Sequence, residues 1–210
     1  MIADVHLGYE WARGSGGDSL PPHSLRETLH KLNCLFESTP IHRLIVAGDL
    51  VETPKPCFRT SHDVRTLITW LRDRGIEPIL LKGNHDPRLR TPLLSTFDLD
   101  DWTILHGDRT LPESACILGH HHPALKAAGL VAPCFLVGSR TIVLPAFSPN
   151  AAGLDISTGW LPTPLHREPL RCWAGVGEEL LDFGLVEELP IRLGRRTKAD
   201  RRSTHLPQSR

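Results

Sequence analysis

The sequence predicts a mixed α/β (α+β) domain in which two sheets pack face to face with helices outside. Three observations carry that expectation. Up to Asp86, short apolar runs alternate with stretches of helical period. Beyond it, short strands follow one another with no room for long helices between them. Every apolar run that reads as a strand in the first two-thirds of the chain also ends in a residue able to bind a metal.

Taken in order, Ile2-Ala3 leads into Asp4-Val5-His6, a start so abrupt that a truncated or misassigned N-terminus is expected. Gly14 to Pro22 is a Gly/Ser/Pro-rich loop, and Ser24 with Glu27 three residues later predicts a helix cap. The helix that follows places Leu25, Leu29, Leu32 and Phe36 on one face. Leu44 to Ala47 predicts a strand running into Gly48-Asp49. A loop with Pro54 and Pro56 precedes a second helix, from about Ser61 to Arg74, with Val64, Leu67, Ile68 and Leu71 at helical spacing and Gly75 as the stop. Ile79 to Leu81 runs into Gly83-Asn84-His85-Asp86. This order of strands and helices argues a right-handed parallel unit. Strands follow near Trp102–His106, Cys116–His120, Cys134–Val137 and Thr141–Leu144, the last two joined by a Gly138-Ser139-Arg140 turn. Arg171–Val176 and Glu179–Phe183, split by Gly177, predict a final hairpin.

The 210 residues suit one domain, taken as residues 1–190, followed by a basic tail over 191–210 that is expected to be disordered. The tail holds seven Lys/Arg and a single acid, Asp200, for a net charge of +6. The remaining 17 basic and 23 acidic residues leave the body at −6. Such an arm is either a nucleic-acid contact or a solvated end. No run approaches the ~18 apolar residues of a membrane span, and no signal peptide is visible, so a cytoplasmic address is expected. Five widely spaced cysteines without a C-x-x-C pair argue against a disulfide framework or a Cys-zinc knuckle.

In α/β sheets the crevice beyond the carboxyl ends of the strands is where ligands bind. Five strand ends bearing Asp, His and Asn therefore predict one site. Asp4 and His6, two apart at a strand end, project from the same face and can share a cation. Asp49 has two carboxylate oxygens with which to bridge two cations. Asn84 offers a carbonyl oxygen, and His106, His120 and His122 offer imidazole nitrogens. Alternation by two keeps His120 and His122 together and turns His121 away. Mixed N/O ligation suits Mn, Fe or Zn. Two such ions about 3.5–4 Å apart clamp the attacking and leaving oxygens of a phosphoryl displacement. His85 is then available as proton donor, with Asp86 placed to hold its tautomer. Arg13, Arg59, Arg88 and Arg90 lie in loops that can border the site and meet phosphates.

The order Asp4-x-His6, Gly48-Asp49, Gly83-Asn84-His85-Asp86, His106 and Gly119-His120-x-His122 resembles the calcineurin-like metallophosphoesterases over residues 1 to about 122. The resemblance implies a four-layer αββα sandwich. It also implies a first metal on Asp4, His6, Asp49 and His122, and a second on Asp49, Asn84, His106 and His120. His85 is the implied general acid, with Asp86 in support. A narrower resemblance is carried by Ala3 to Gly8, Gly119 to Pro123, Pro133-Cys134-Phe135 and Leu144-Pro145-Ala146-Phe147. These are similar to the DNA-ligase-associated metallophosphoesterases. That group implies a manganese-preferring nuclease or phosphodiesterase of DNA repair, with DNA as substrate and a DNA ligase or other repair protein as partner. Tyr9 and Glu52 depart from it, standing where many members carry Lys and His. The rival readings are a phosphatase or phosphodiesterase of small nucleotides, and a scaffold that keeps the sandwich but binds a protein. Oligomeric state is left open.

Overall fold

The computed structural model describes residues 1–177 and 179–194. After a short helix α1 (Tyr9–Gly14), α2 (Ser24–Ser38), β1 (Arg43–Val46), α3 (Phe58–Arg72) and β2 (Glu77–Leu80) build the first half. The second half is strand-rich: β3 (Phe97–Leu99), β4 (Trp102–Leu105), β5 (Cys116–Leu118), β6 (Pro123–Ala127), β7 (Leu130–Val137), β8 (Thr141–Val143) and β9 (Leu154–Asp155). It closes with β10 (Arg171–Val176), β11 (Glu179–Leu185) and α4 (Leu189–Arg192).

β1 and β2 pair in parallel and form the small sheet. In the large sheet β4, β5 and β8 are parallel neighbours. Antiparallel β3 borders them on one side, and β7, β10 and β11 on the other. Strand alternation sorts the apolar residues into three interfaces, which is what makes the molecule layered. Leu44 and Val46 face α2 and α3, where they meet Leu32, Val64, Leu67 and Leu71. Ile45 and Ala47 point the other way and join Ile79, Leu81, Ile104 and Leu144 between the sheets, with Ile117, Phe135 and Ile142 packed beside them. Cys116, Leu118, Cys134, Leu136 and Val143 face outward from the large sheet. They are covered by Ile156, Leu165, Val186 and Leu189, which belong to single 3₁₀ turns and to α4. The αββα order is therefore present, with a fourth layer of short turns in place of long helices.

Local differences from the sequence reading have simple causes. α3 begins at Phe58 and not near Ser61, because the last proline of the preceding loop is Pro56 and every later N–H is free to enter the helix. His23 occupies the N-cap of α2, with no side-chain cap bond. The Ser24 hydroxyl instead accepts from the Gly8 N–H at 3.0 Å, tying the helix to the turn beyond His6. The Gly138 turn and the final hairpin form as expected. The boundary expected at residue 190 falls inside α4, where Leu189 is buried and Arg192 pairs with Glu188 at 2.9 Å. Residues 195–210 of the expected tail lie outside the described residues. None of the described helices is long and apolar enough to cross a membrane.

Leu67 holds α3 to the small sheet, and Leu35 on α2 faces solvent at 43% exposure. Leu67→Ala is expected to lower unfolding free energy by about 2–5 kcal/mol, and Leu35→Ala by well under 1 kcal/mol. Equal losses by chemical denaturation would contradict this layering.

Candidate metal centre

The parallel strands of both sheets end at one edge. Asp49 follows β1, Asn84 and His85 follow β2, His106 follows β4, and His120 to His122 follow β5. The N-terminal segment reaches the same edge although it forms only isolated bridges, Ile2 to Val46 and Ala3 to Ala146. It is held on both flanks. The N–H groups of Asp4 and His6 donate to the carbonyls of Gly48 and Asp49, each at 3.1 Å. On the opposite side the N–H groups of Phe147 and Ser148 donate to Ala3 and Asp4 at 2.8 and 3.0 Å. Leu144 is buried between the sheets and Ala146-Phe147 flanks the N-terminal segment, so Leu144 to Phe147 serve as core and support.

Strand alternation does not aim the side chains. Asp4, His6, Asp49, His120 and His122 all take left-handed backbone conformations, with φ of +57°, +52°, +45°, +66° and +46°. Among the described non-glycine residues only Asp100 and Ala128 share that region. Each such residue costs about 1–3 kcal/mol and persists only where its surroundings impose it. The strain is concentrated where the polar side chains converge. The glycines beside them are required by space. A Cβ on Gly48 would overlap the His106 ring, and one on Gly83 would overlap the Asp49 carboxylate. One on Gly119 would lie 2.6 Å from Asp4 Oδ2.

Two clusters result, linked through Asp49. In the first, His122 Nε2 lies 3.1 Å from Asp4 Oδ1 and 3.4 Å from His6 Nε2. In the second, His106 Nε2 lies 3.3 Å from Asp49 Oδ2, 3.0 Å from Asn84 Oδ1 and 3.3 Å from His120 Nδ1. His85 approaches the shared carboxylate from a third direction, its Nε2 4.0 Å from Asp49 Oδ2. Three groups are compact enough to hold an ion: Asp4, His6 and His122; His6, Asp49 and His85; Asp49, His106 and His120. All seven residues expected as ligands are thus brought together.

The supporting contacts differ from expectation in one respect. Asp86 does not touch His85. Its carboxylate accepts the N–H groups of Gly83 (2.9 Å), Val51 (3.1 Å) and Leu50 (3.2 Å), clamping the loop after β2 to the loop after β1. A short turn over 83–86 folds this carboxylate back beneath the chain, away from its neighbour's ring. The His85 Nδ1–H donates instead to the Glu52 carbonyl at 2.6 Å, leaving Nε2 to face the centre. Glu52 also presents its carboxylate to His6 Nδ1 at 3.2 Å, a role sequence reasoning missed. The only signal was its departure from the motif's usual His. His121 is kept out by the kinks on either side and not by alternation; burial pushes its pKa down to about 4, with His120 adding to the effect.

The donor set fits cations. The Ala47 carbonyl 3.1 Å from His106 Nδ1 can only accept, so that nitrogen carries the proton and Nε2 turns its lone pair toward Asp49. Lone pair facing carboxylate demands positive charge between them. Without a metal, a proton supplies it. Burial opposes the charged ring, but Asp49, with Asp4 behind it, outweighs burial and raises the His106 pKa to about 9. Burial works against the Asp49 carboxylate too, yet His106 and the His85 N–H at 2.8 Å hold it below the usual range. At His6, burial is likewise outweighed by Glu52, and the pKa rises.

No family model matches this chain, and no curated protein sequence matches it. Among solved structures it is similar to the nuclease MPE of Pseudomonas putida, with 22% identity and a TM-score of 0.62, over 87% of this chain and 86% of that one. It also matches Vacuolar Protein Sorting 29 of Cryptosporidium parvum, with 12% identity and a TM-score of 0.40, over 87% of this chain and 95% of that one. The first likeness shows the fold; the second is too distant to add to it.

His106 sets a pH dependence. Its folded pKa of about 9 exceeds the ordinary 6.5, so its contribution is fully present below pH 6.5 and is lost as pH rises through 9. In EDTA, stability is expected to fall across that window by up to about 3 kcal/mol. His106→Gln should flatten the slope, and an unchanged slope in thermal unfolding would count against the pair.

Proposed function

We propose that the chain is a two-metal phosphoesterase that hydrolyses phosphodiesters, with DNA as its substrate. The observation that carries this is the buried Asp49 carboxylate, grouped with His106 and His120 on one side and with His6 on the other while a partly exposed His85 stands against it. Asp4, His6, Asp49 and His122 would hold one divalent cation, and Asp49, Asn84, His106 and His120 the other. The N/O donors suit manganese, with iron or zinc as chemically equivalent choices. Bound there, the ions supply Lewis acidity toward phosphoryl oxygens and make water acidic enough to attack near neutral pH.

The chain's own residues do the rest. The Glu52 carbonyl holds the His85 Nδ1–H, so the second proton of the imidazolium form sits on Nε2; that atom protonates the departing oxygen and leaves the neutral Nδ1–H tautomer. The ring's 33% exposure leaves that face open to a substrate. Asp86 acts as a positioning residue through the backbone it clamps. Glu52 orients His6 so that its Nε2 points inward. The likeness to a nuclease supports the diester reading through the fold, and the repair role, with a ligase or other repair partner, rests on the sequence resemblance.

Asp49→Ala is expected to abolish manganese uptake by calorimetry and to remove diester hydrolysis. His85→Ala should lower kcat on an oligonucleotide by about 10²–10⁴-fold. It should lower bis(p-nitrophenyl) phosphate hydrolysis far less, because nitrophenolate departs without a proton. Equal losses on both substrates would rule out the acid role. Glu52→Ala should weaken manganese binding by about 10–100-fold; unaltered affinity would leave Glu52 with its main-chain role only.

A further inference from the structure

The wall that contains His85 continues into a cavity of about 460 Å³, formed by the loop over 53–57, the start of α3 and the loop over 88–91. Four cations line it, Lys55, Arg65, Arg88 and Arg90, and no Asp or Glu does. All four are exposed, and none forms an ion pair with a described residue. This runs against the charge of the molecule, whose residues 1–190 carry a net −6. The other two arginines that the sequence suggests could border the site are engaged: Arg13 with Asp18 at 2.5 Å, and Arg59 over the Trp11 ring at 4.7 Å. Phe58, the first residue of α3, belongs to the same wall and leaves its side chain 81% exposed.

Unpaired cations beside an exposed aromatic ring form the combination that binds single nucleic-acid strands, cations tracking phosphates and the ring stacking on a base. A mononucleotide offers one base and a phosphate already engaged at the centre, so it leaves these cations without partners. A duplex keeps its bases stacked and offers Phe58 nothing.

We propose that this groove receives a single polynucleotide strand, with Arg65, Arg88 and Arg90 against successive phosphates and Phe58 against an unstacked base. The proposal rests on the hydrolytic reading in one respect: because His85 donates to the leaving oxygen, the strand in the groove is the leaving-group half of the substrate.

Binding of a fluorescein-labelled 12-nucleotide DNA strand to the full chain, read by anisotropy in EDTA, tests the groove independently of catalysis. Arg88→Ala/Arg90→Ala is expected to weaken binding at least tenfold and to reduce the salt slope by about 0.7 per cation removed. Phe58→Ala should weaken binding severalfold, and Phe58→Trp should restore it. The same charge change placed elsewhere, Arg26→Ala/Arg140→Ala, should leave binding within twofold. In manganese, the groove variants should lose at least tenfold more kcat/KM on the strand than on bis(p-nitrophenyl) phosphate. An RNA strand of the same sequence, run in parallel, reports which sugar is accepted. Groove and control variants that bind alike, or a duplex that binds as tightly as the single strand, would overturn the proposal. If the wild type hydrolyses no diester yet binding still depends on the groove, the catalytic reading falls and the groove stands. If hydrolysis persists and groove variants cut strands as the wild type does, the reverse holds.

Discussion

Backbone at Gly48, Gly83 and Gly119 comes so close to His106, Asp49 and Asp4 that only a hydrogen fits on each α-carbon. Each glycine belongs to one loop and touches a polar side chain from another, so the loops after β1, β2 and β5 interlock with the N-terminal segment and the residue after β4. None of these loops can shift without moving a neighbour's donor atom. The five left-handed residues are tolerated within this contact set, because the two sheets beneath them leave the chain no other path to the same edge. The Asp86 carboxylate completes the clamp by joining Gly83, Leu50 and Val51. The centre is thus held in place by its own contacts, which is what geometric selection among metals would require.

Rigidity alone would leave three buried carboxylates close together, and their charge is balanced locally. Asp4 accepts the His120 N–H with both oxygens and lies beside His122. Asp49 accepts the His85 N–H and lies beside His106. Asp86 relies on backbone N–H groups alone, and since burial dominates there its pKa sits above the ordinary value. These differences separate the roles. The Asp49 carboxylate, which faces His106, is held below the usual range and suits a cation, while the one satisfied by amides is structural. The short His6–Glu52 contact extends the same logic outward, fixing which nitrogen of His6 faces the centre.

Much of this was legible in the chain because each ligand sits at a fixed offset from an apolar run, and apolar runs become strands wherever both faces can be buried. Ile45 and Leu44 report opposite faces of β1, as do Ile117 and Cys116 on β5, and that alternation carries the layered fold. What pattern could not show was how the side chains are aimed. Alternation explained the pairing of Asp4 with His6 and of His120 with His122, yet the structure achieves it with left-handed kinks, which tertiary contacts impose. Asp86 differs from expectation for a related reason: adjacency in sequence suggests a partner for His85, but the turn over 83–86 folds the carboxylate back onto amides 35 and 36 residues away, and onto its own loop. The thin fourth layer was invisible because turns of three or four residues leave no periodicity to read.

Overall charge was the least informative of the sequence measures, and the structure shows why. A net of zero averages an acidic body over a groove wall that carries four cations and no acid. That wall is assembled from three separate stretches, so no local run of Lys or Arg announces it. Its loop is also held in advance: Pro54 and Pro56 fix two backbone angles in five residues, and Thr53 accepts the Lys55 N–H at 3.3 Å. A loop restrained in this way loses little entropy when a strand settles against it, so more of the electrostatic attraction remains as affinity. His85 stands in that wall and against Asp49 at once. The proposed proton donor and the proposed strand groove therefore meet at one imidazole, and the identity of the substrate and the chemistry done to it become a single structural question.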